Sequence, residues 1–384
     1  MTQVPHALYG NNGLMILPGS YIFSLILLVL SMICLGSWAN TLKLTAPKWR
    51  FELYCYDFAV GAILAAIAVS FTFGSLGLDG FTVLDDLNLA GKRQDAFALV
   101  AGSIFTLGNM LLIGAISLAG MTVAIPVCLG SALIFGVILG HFINPVGNGI
   151  LWTVGCVAVF GGIAFGAVAF KKHVDLKAAE AQAAAAAAAA LAADQAALQN
   201  KPAPAKSKKL RKKPTTVKAL LLAVLGGLLF GGGPPLLDMA REGGNALGPY
   251  TAAFLFVIGV VFATIVYNLF FLNLPVQGAP IDFSQYTTGR PNDHLVGIVG
   301  GGIWFCGLVI SLVVARAEGT AQVGPGLSFA LAQGAMVVGA LWGLFGWKEF
   351  RGAESSIKLY LSVMLVLLVL GIGLASMAPL YGTH

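Results

Sequence analysis

Long apolar stretches separated by short polar breaks set the organisation of this chain. Ten runs reach the roughly 20 apolar residues that a helix needs to cross the hydrocarbon layer. They are 20–42, 54–74, 96–117, 121–142, 150–170, 218–237, 250–271, 294–315, 321–345 and 356–379. The pattern predicts an all-α polytopic membrane protein with ten transmembrane helices. The breaks at 117–121 and 315–321 are so short that each predicts a tight hairpin. One break is long. Residues 171–217 separate a first five-helix repeat (1–170) from a second (218–384), and because five is odd the second half enters the membrane upside down relative to the first.

An internal repeat agrees with two inverted halves. Gly108, Gly120 and Pro126 are separated by 12 and then 6, and Gly307, Gly319 and Pro325 show the same separations, with Gly140 matching Gly339 at the same offset of 199. The first and sixth spans each end in a stretch expected to break the helix, Gly36-Ser37-Trp38-Ala39-Asn40 and Gly231-Gly232-Gly233-Pro234-Pro235. Inverted repeats with interrupted helices are a common build for secondary transporters, whose solute site lies at the repeat interface. The pairs Gly136/Gly140, Gly162/Gly166, Gly227/Gly231 and Gly339/Gly343 have the spacing of close helix contacts.

Composition and charge fix the class and the orientation. Only 10% of the 384 residues are charged and 58% are hydrophobic, and the mean hydropathy is +0.87, which excludes a soluble globular protein. Of the 22 Lys and Arg residues, 11 lie between Lys171 and Lys218, so the net charge of +6 comes from the central loop. It speaks of contact with anionic membrane lipids and not of nucleic acid. With the N-terminus outside, 18 of the 22 basic residues fall on the cytoplasmic side and 4 on the other, as the positive-inside rule requires. The expected location is the plasma (inner) membrane, with both termini outside and the 171–217 loop cytoplasmic. No Lys or Arg precedes the first apolar run, so no cleavable signal peptide is expected. Within the loop, 171–199 are helix formers that extend the fifth span as a solvated helix; the alanine run is too short and too weakly apolar for an eleventh span. Lys201–Lys218 is rich in Pro and Lys and is expected to be flexible along the inner leaflet. The five cysteines lie in or beside apolar runs without a CxxC pair and are expected to be small buried hydrophobes.

Several chemistries find no support. There is no G-x-x-x-x-G-K-[ST] for ATP hydrolysis, no His spacing for a metal, and no repeated-Arg voltage sensor. No enzyme activity, cofactor or metal is expected, and energy must come from an ion gradient or from the solute's own gradient. Polar groups in or beside spans are then the candidate functional residues. In the ninth span Gln322, Gly326, Phe329 and Gln333 follow i, i+4, i+7, i+11 and would share one helical face, two amides suited to a neutral hydrogen-bonding solute or, alternatively, to gluing helices together. Gly36 and Asn40 lie four apart, with Trp38 beside the break. That gives an amide and a stacking ring suited to a sugar or flat heterocycle, unless Trp38 is an interfacial belt residue. In the third span Thr106, Asn109 and Ser117 lie close to one face, where a structural hydrogen bond is the competing account. Two acids could carry a coupling proton. Asp57 lies one turn into the second span, where it could also serve only the helix dipole. Glu318 sits in the 315–321 hairpin, where an ordinary ion pair with Arg316 is the alternative. Lys348, Glu349 and Arg351 have the character of a solvated inner loop.

Gly36-Ser37-Trp38, the segment Trp49–Phe58 with Asp57, Leu107-Gly108-Asn109 followed by Ile116–Pro126, and Gly346–Arg351 with Glu349 together resemble the ureide permease family of the drug/metabolite transporter superfamily. They are similar, more weakly, to its L-rhamnose–proton symporter branch. The similarity covers most of both halves and stops at the central loop, whose alanine- and lysine-rich sequence departs from the family. The resemblance implies ten helices in two inverted halves and proton-coupled import of a small polar solute, which in plant members includes allantoin, related heterocycles and nucleobases. Carried over by position, it implies functional roles for Trp38, Asp57 and Asn109. A monosaccharide–proton symporter or a drug/metabolite exporter is the alternative; substrate identity, direction and oligomeric state stay open.

Overall fold

The computed structural model describes residues 16–76, 82–143, 147–198 and 215–381, and every regular element among them is helical. The apolar runs become α1 (Tyr21–Ser37), α3 (Phe51–Phe71), α5 (Lys92–Ala119), α6 (Met121–Ile143) and α7 (Gly149–Leu198). In the second half they become α8 (Thr215–Ala240), α9 (Pro249–Asn273), α11 (Pro291–Ala315), α12 (Pro325–Leu341) and α13 (Ser355–Met377). Among the described residues nine helices are long and apolar enough to cross a membrane, and α1 is apolar but 17 residues long. Short helices fill the links: α2 (Asn40–Leu44), α4 (Val83–Leu89) and α10 (Ser284–Thr287). Helix α4 starts at a capping box between Thr82 and Asp85, a signal already visible as Thr-x-x-Asp in the sequence. Prolines stand at the starts of α9, α11 and α12, where the missing N–H costs no hydrogen bond.

Several boundaries correct the sequence expectations. Helix α8 continues through Gly231–Pro235 with Pro234 and Pro235 inside it; proline's φ is compatible with a helix, although each proline removes an N–H donor and crowds the carbonyl four residues back. The break after α1 is slight, since Trp38 and Ala39 keep right-handed helical dihedrals before α2 resumes. The α5–α6 hairpin is a single residue, Gly120 at φ +80°, a conformation that favours glycine. The α11–α12 link is longer than expected and includes a 3-10 turn, Gly319–Ala321. Its Gly319, one repeat offset from Gly120, also has positive φ. Helix α12 begins only at Pro325 and ends in a π-helical turn, Trp342–Gly346. Helix α7 continues past the fifth apolar run to Leu198, and Ala183–Ala190 is exposed all round. Most of the flexible segment expected at 201–218 lies outside the described residues. Of the cysteines, all free, Cys55 and Cys128 are buried and the other three are half-buried.

Packing is paired between the halves. Helix α1 packs on α11 and α12 as α8 packs on α5 and α6; α3 packs on α11 as α9 packs on α5; α6 meets α7 as α12 meets α13. Small residues make the tight approaches possible. A methyl group on Gly61 would strike the main chain of Ile298, and one on Gly259 would strike that of Leu99. Gly301 against Phe58 and Gly102 against Phe256 form the same kind of pair. The Gly162/Gly166 pair meets α13 and Gly227/Gly231 meets α6, while Gly140 faces open space. Polar cross-links join matching ends of the bundle. Lys43, Met121 and Glu349 meet at one end, and Asp86, Gly248, Arg241 and Leu312 at the other. We refer to these as the Lys43 end and the Arg316 end.

Candidate functional site

Between the halves, aromatic side chains from both halves gather into one cluster. Phe105 on α5 and Trp304 on α11 stack with ring centroids 4.6 Å apart and planes at 24°; they are 199 positions apart, the offset of the glycine repeat. Around this stack, Phe58 on α3 lies 5.5 Å from Trp304, and Phe256 on α9 lies 5.5 Å from Phe105. Phe230 on α8 closes against Phe105 at 5.0 Å, and Trp38 at the end of α1 closes against Phe58 at 5.1 Å. Each half therefore contributes three rings; Phe58 on Trp304 matches Phe256 on Phe105, whereas Trp38 touches Phe58 and Phe230 touches Phe105 directly. Phe105 and Phe230 are only half-buried, so the cluster is not sealed.

Asn109 lies one turn beyond Phe105 on α5, hence on the same face. It is 4% exposed, and its carboxamide oxygen is buried without a hydrogen-bond partner. Leaving a buried acceptor unpaired costs about 1–3 kcal/mol. Thr106, by contrast, is satisfied, donating to the carbonyl of Gly102. Asn109 and Trp38 thus belong to one central region, while the other sequence candidates do not join it. Asn40 lies nearer the Lys43 end, its amide donating to the Ser37 carbonyl and its oxygen accepting from Trp347 Nε1 at 2.6 Å. Gln322 is exposed and precedes α12, because Pro325 can start a helix but cannot extend one backward. It therefore does not share a helical face with Phe329 and Gln333. Phe329 is half-buried against Trp152, and Gln333 is half-buried. Glu318 is exposed at the Arg316 end.

Two carboxylates at the Lys43 end, the buried Asp57 and the half-buried Glu349, have contrasting surroundings. Asp57, 1% exposed, accepts from Tyr286 Oη at 2.7 Å and pairs with His294 Nδ1 at 2.8 Å, both through Oδ1. Its Oδ2 is buried without a partner. Burial, and then the carboxylate it donates to, push the Tyr286 phenol above its ordinary range, so it remains a donor. Trp49 packs edge-on against His294 at 4.7 Å. Arg290 and Asp293 pair beside them, and Asp293 accepts from the main-chain N–H of Ala46. Sequence reasoning found Asp57 but missed His294 and Tyr286; the available signal was a histidine one turn into an apolar span.

The second carboxylate is Glu349, which corrects its reading as part of a solvated loop. It accepts from the N–H groups of Met121 and Thr122, both at 2.9 Å, and from Thr122 Oγ1 at 2.7 Å. It also pairs with Lys43 at 3.0 Å. The acid caps the first turn of α6, where free N–H groups and the helix dipole favour a negative charge. Burial alone would raise its carboxyl, but Lys43 and the hydrogen bonds from Thr122 and Met121 outweigh burial and hold it below the ordinary value. Methyl groups at Gly120 or Gly343 would intrude on its oxygens. Among the described residues, no group of three His, Cys, Asp or Glu gathers in a way that could hold a metal.

No protein-family model matches the chain. Ureide permease 1 of Arabidopsis thaliana is 22% identical over 377 residues, covering 89% of this chain and 93% of that protein. Ureide permease 5 of the same plant is 25% identical over 403 residues, covering 91% and 93%. The chain is similar to ureide permeases over nearly its full length. Ureide permease 4 reaches 30% identity, but over 146 residues and 36% of each chain. These relatives are transporters, not enzymes. With nine candidate spans, they support a multi-pass membrane protein that transports small solutes.

Proposed function

We propose that the chain is a secondary transporter importing a small, neutral, flat polar solute of the ureide or nucleobase kind, coupled to protons. In this reading the inverted halves 1–170 and 218–384 rock about the aromatic cluster in alternating access. The protein sits in the plasma membrane with both termini outside and 171–217 in the cytosol, as the 18-to-4 division of basic residues favours.

The observation that carries the reading is the Asn109 carboxamide oxygen, buried and unpartnered beside the Phe105–Trp304 stack. Aromatic faces suit a planar amide or heterocycle, and an N–H of the solute would supply the missing partner. A sugar offers hydroxyls but no planar ring. The paired helix contacts and the 199-residue offset between Phe105 and Trp304 support two inverted halves. The similarity to ureide permeases across most of the chain supports the solute class. Trp38 and Asn109 line the site in this reading, together with Phe105, Phe230 and Trp304. Asn40, Phe329 and Gln333 lie at its margins, and Asp57 carries the proton in preference to the exposed Glu318.

The test is uptake of labelled allantoin, uracil and L-rhamnose into proteoliposomes, with and without an inward proton gradient. The expected result is gradient-stimulated accumulation of allantoin or uracil. Accumulation of L-rhamnose alone would move the protein to a sugar symporter, and no accumulation of any of the three would overturn the importer reading.

A further inference from the structure

We infer that Asp57, His294 and Tyr286 form a single proton-exchange site split between the two halves, with His294 passing the proton and Asp57 holding it. The inference rests on the proton-coupled reading above and names the groups that perform the coupling.

The geometry is asymmetric in a way that ordinary structural carboxylates are not. Both donors converge on Asp57 Oδ1, from Tyr286 at 2.7 Å and His294 at 2.8 Å. Oδ2 has none and is shut away from solvent. A buried oxygen of an ionised carboxylate with no donor is costly, and protonation of Asp57 relieves that cost by removing the charge. Gly297 packs directly on the Asp57 side chain, so that no larger residue could reach the carboxylate from that side. Asp57 is thus a buried acid whose charge is only half-compensated.

His294 supplies the route. Its side chain is 24% exposed, against 1% for Asp57. A proton taken up on Nε2 gives the imidazolium. Transfer of the Nδ1 proton along its hydrogen bond to Asp57 Oδ1 then leaves a neutral carboxylic acid and a neutral imidazole protonated on Nε2. The reverse sequence discharges the site, and charge balances at each step. Trp49 walls the ring and keeps it facing Asp57. The other charged or titratable groups near the site are Glu52, Tyr54, Cys55 and Tyr56 on α3, and Asp293 with its partner Arg290 at the start of α11. Glu52 is tied to Arg50. On α9, Asn268 offers only an amide, which donates to the Glu52 carbonyl. The two arginines, Arg290 and Arg50, are tied to Asp293 and Glu52, and no ion pair links either to Asp57 among the described residues.

Coupling follows from where the three residues come from. Asp57 belongs to α3 of the first half; Tyr286 and His294 belong to α10 and α11 of the second. An ionised Asp57 binds both, and a protonated one binds them less strongly, so loading a proton changes the attraction between the halves. A ligand shifts a conformational equilibrium only by its differential affinity for the two states, and this site gives the proton such a difference.

Two measurements test the inference. In infrared pH titration of the purified full-length protein, a protonated-carboxyl band is expected that is missing in Asp57→Asn. Its midpoint should move to higher pH in Tyr286→Phe, which keeps the ring but removes a donor to the ionised form. In proteoliposomes, His294→Gln is expected to lower the ratio of gradient-driven accumulation to solute exchange at least tenfold and to flatten its pH profile. A band that survives Asp57→Asn, or an unchanged accumulation-to-exchange ratio in His294→Gln, overturns the site. The infrared titration needs no solute, so it decides the proton site even if wild-type protein carries none of the tested solutes and the importer reading fails.

Discussion

Asp57 and Glu349 are both acids largely withdrawn from solvent at the Lys43 end of the bundle, 1% and 13% exposed, and their surroundings differ in one respect that decides what each can do. Glu349 is saturated. Both of its oxygens receive main-chain donors from the start of α6 or the Lys43 ammonium, and its neighbours leave no room for anything larger than glycine. Asp57 is half-satisfied, with two donors on one oxygen and none on the other. The first arrangement fixes a charge and clamps a helix start; the second leaves a charge half-compensated, which a proton can neutralise. Burial alone therefore does not mark a functional carboxylate, since Glu52 and Asp293 at the same end are as buried as Asp57. The count of donors on each oxygen does.

Substitution at the two sites should separate these roles. The largest effect is expected from Asp57→Asn, which keeps the shape but cannot exchange a proton. Gradient-driven solute accumulation should fall on the order of 100-fold, which is about 2.7 kcal/mol of lost coupling, while the melting temperature in detergent changes little. A mutant that accumulates solute normally would place Asp57 beside Glu349 as a structural acid. Next comes Gly120→Ala, which sets a side chain at φ +80° and against the Glu349 oxygens. It should destabilise the fold by about 2–4 kcal/mol, read as loss of thermal stability. Glu349→Gln should follow at about 2–3 kcal/mol, since it strands Lys43 and presents an amide to N–H donors. If Glu349→Gln instead abolishes accumulation at unchanged stability, the two acids have exchanged roles.

The comparison also shows what the sequence could and could not reveal. The apolar runs, the central break and the 199-residue offset were legible, because each depends on residues close in sequence or on a simple period. Trp38, Asn109 and Asp57 stood out as polar or aromatic residues in apolar surroundings, and the structure buries all three. Glu349 was misread because its partners, Met121 and Thr122, lie more than 220 positions away, and among Lys348 and Arg351 a glutamate looks solvated. His294 was hidden for the same reason, since only the packing of α11 on α3 brings it to Asp57. Gln322 erred in the opposite direction. An i, i+4 spacing has meaning only inside a helix, and Pro325 starts that helix three residues too late.

The smallest effects concern the charge state of Glu349. Its folded carboxyl titrates below the ordinary value of about 4.3, so the unfolded chain binds its proton first as the pH falls. Stability from this group is therefore fully present above that ordinary value and is lost as the pH drops through the lowered one. Thermal melts between pH 6 and 3 should show wild type losing stability more steeply than Glu349→Gln at the acid end, a slope difference of up to one proton. Lys43→Met provides the finer probe. The lysine is 30% exposed, so its share of the pairing is screened, and about 0.5–1 kcal/mol of stability should be lost at neutral pH. The acid-limb difference from Glu349→Gln should shrink but persist, because the three hydrogen bonds from Met121 and Thr122 remain. If it vanishes with Lys43, the ion pair and not the helix start holds the Glu349 charge, and the clamp on α6 is weaker than its hydrogen bonds imply.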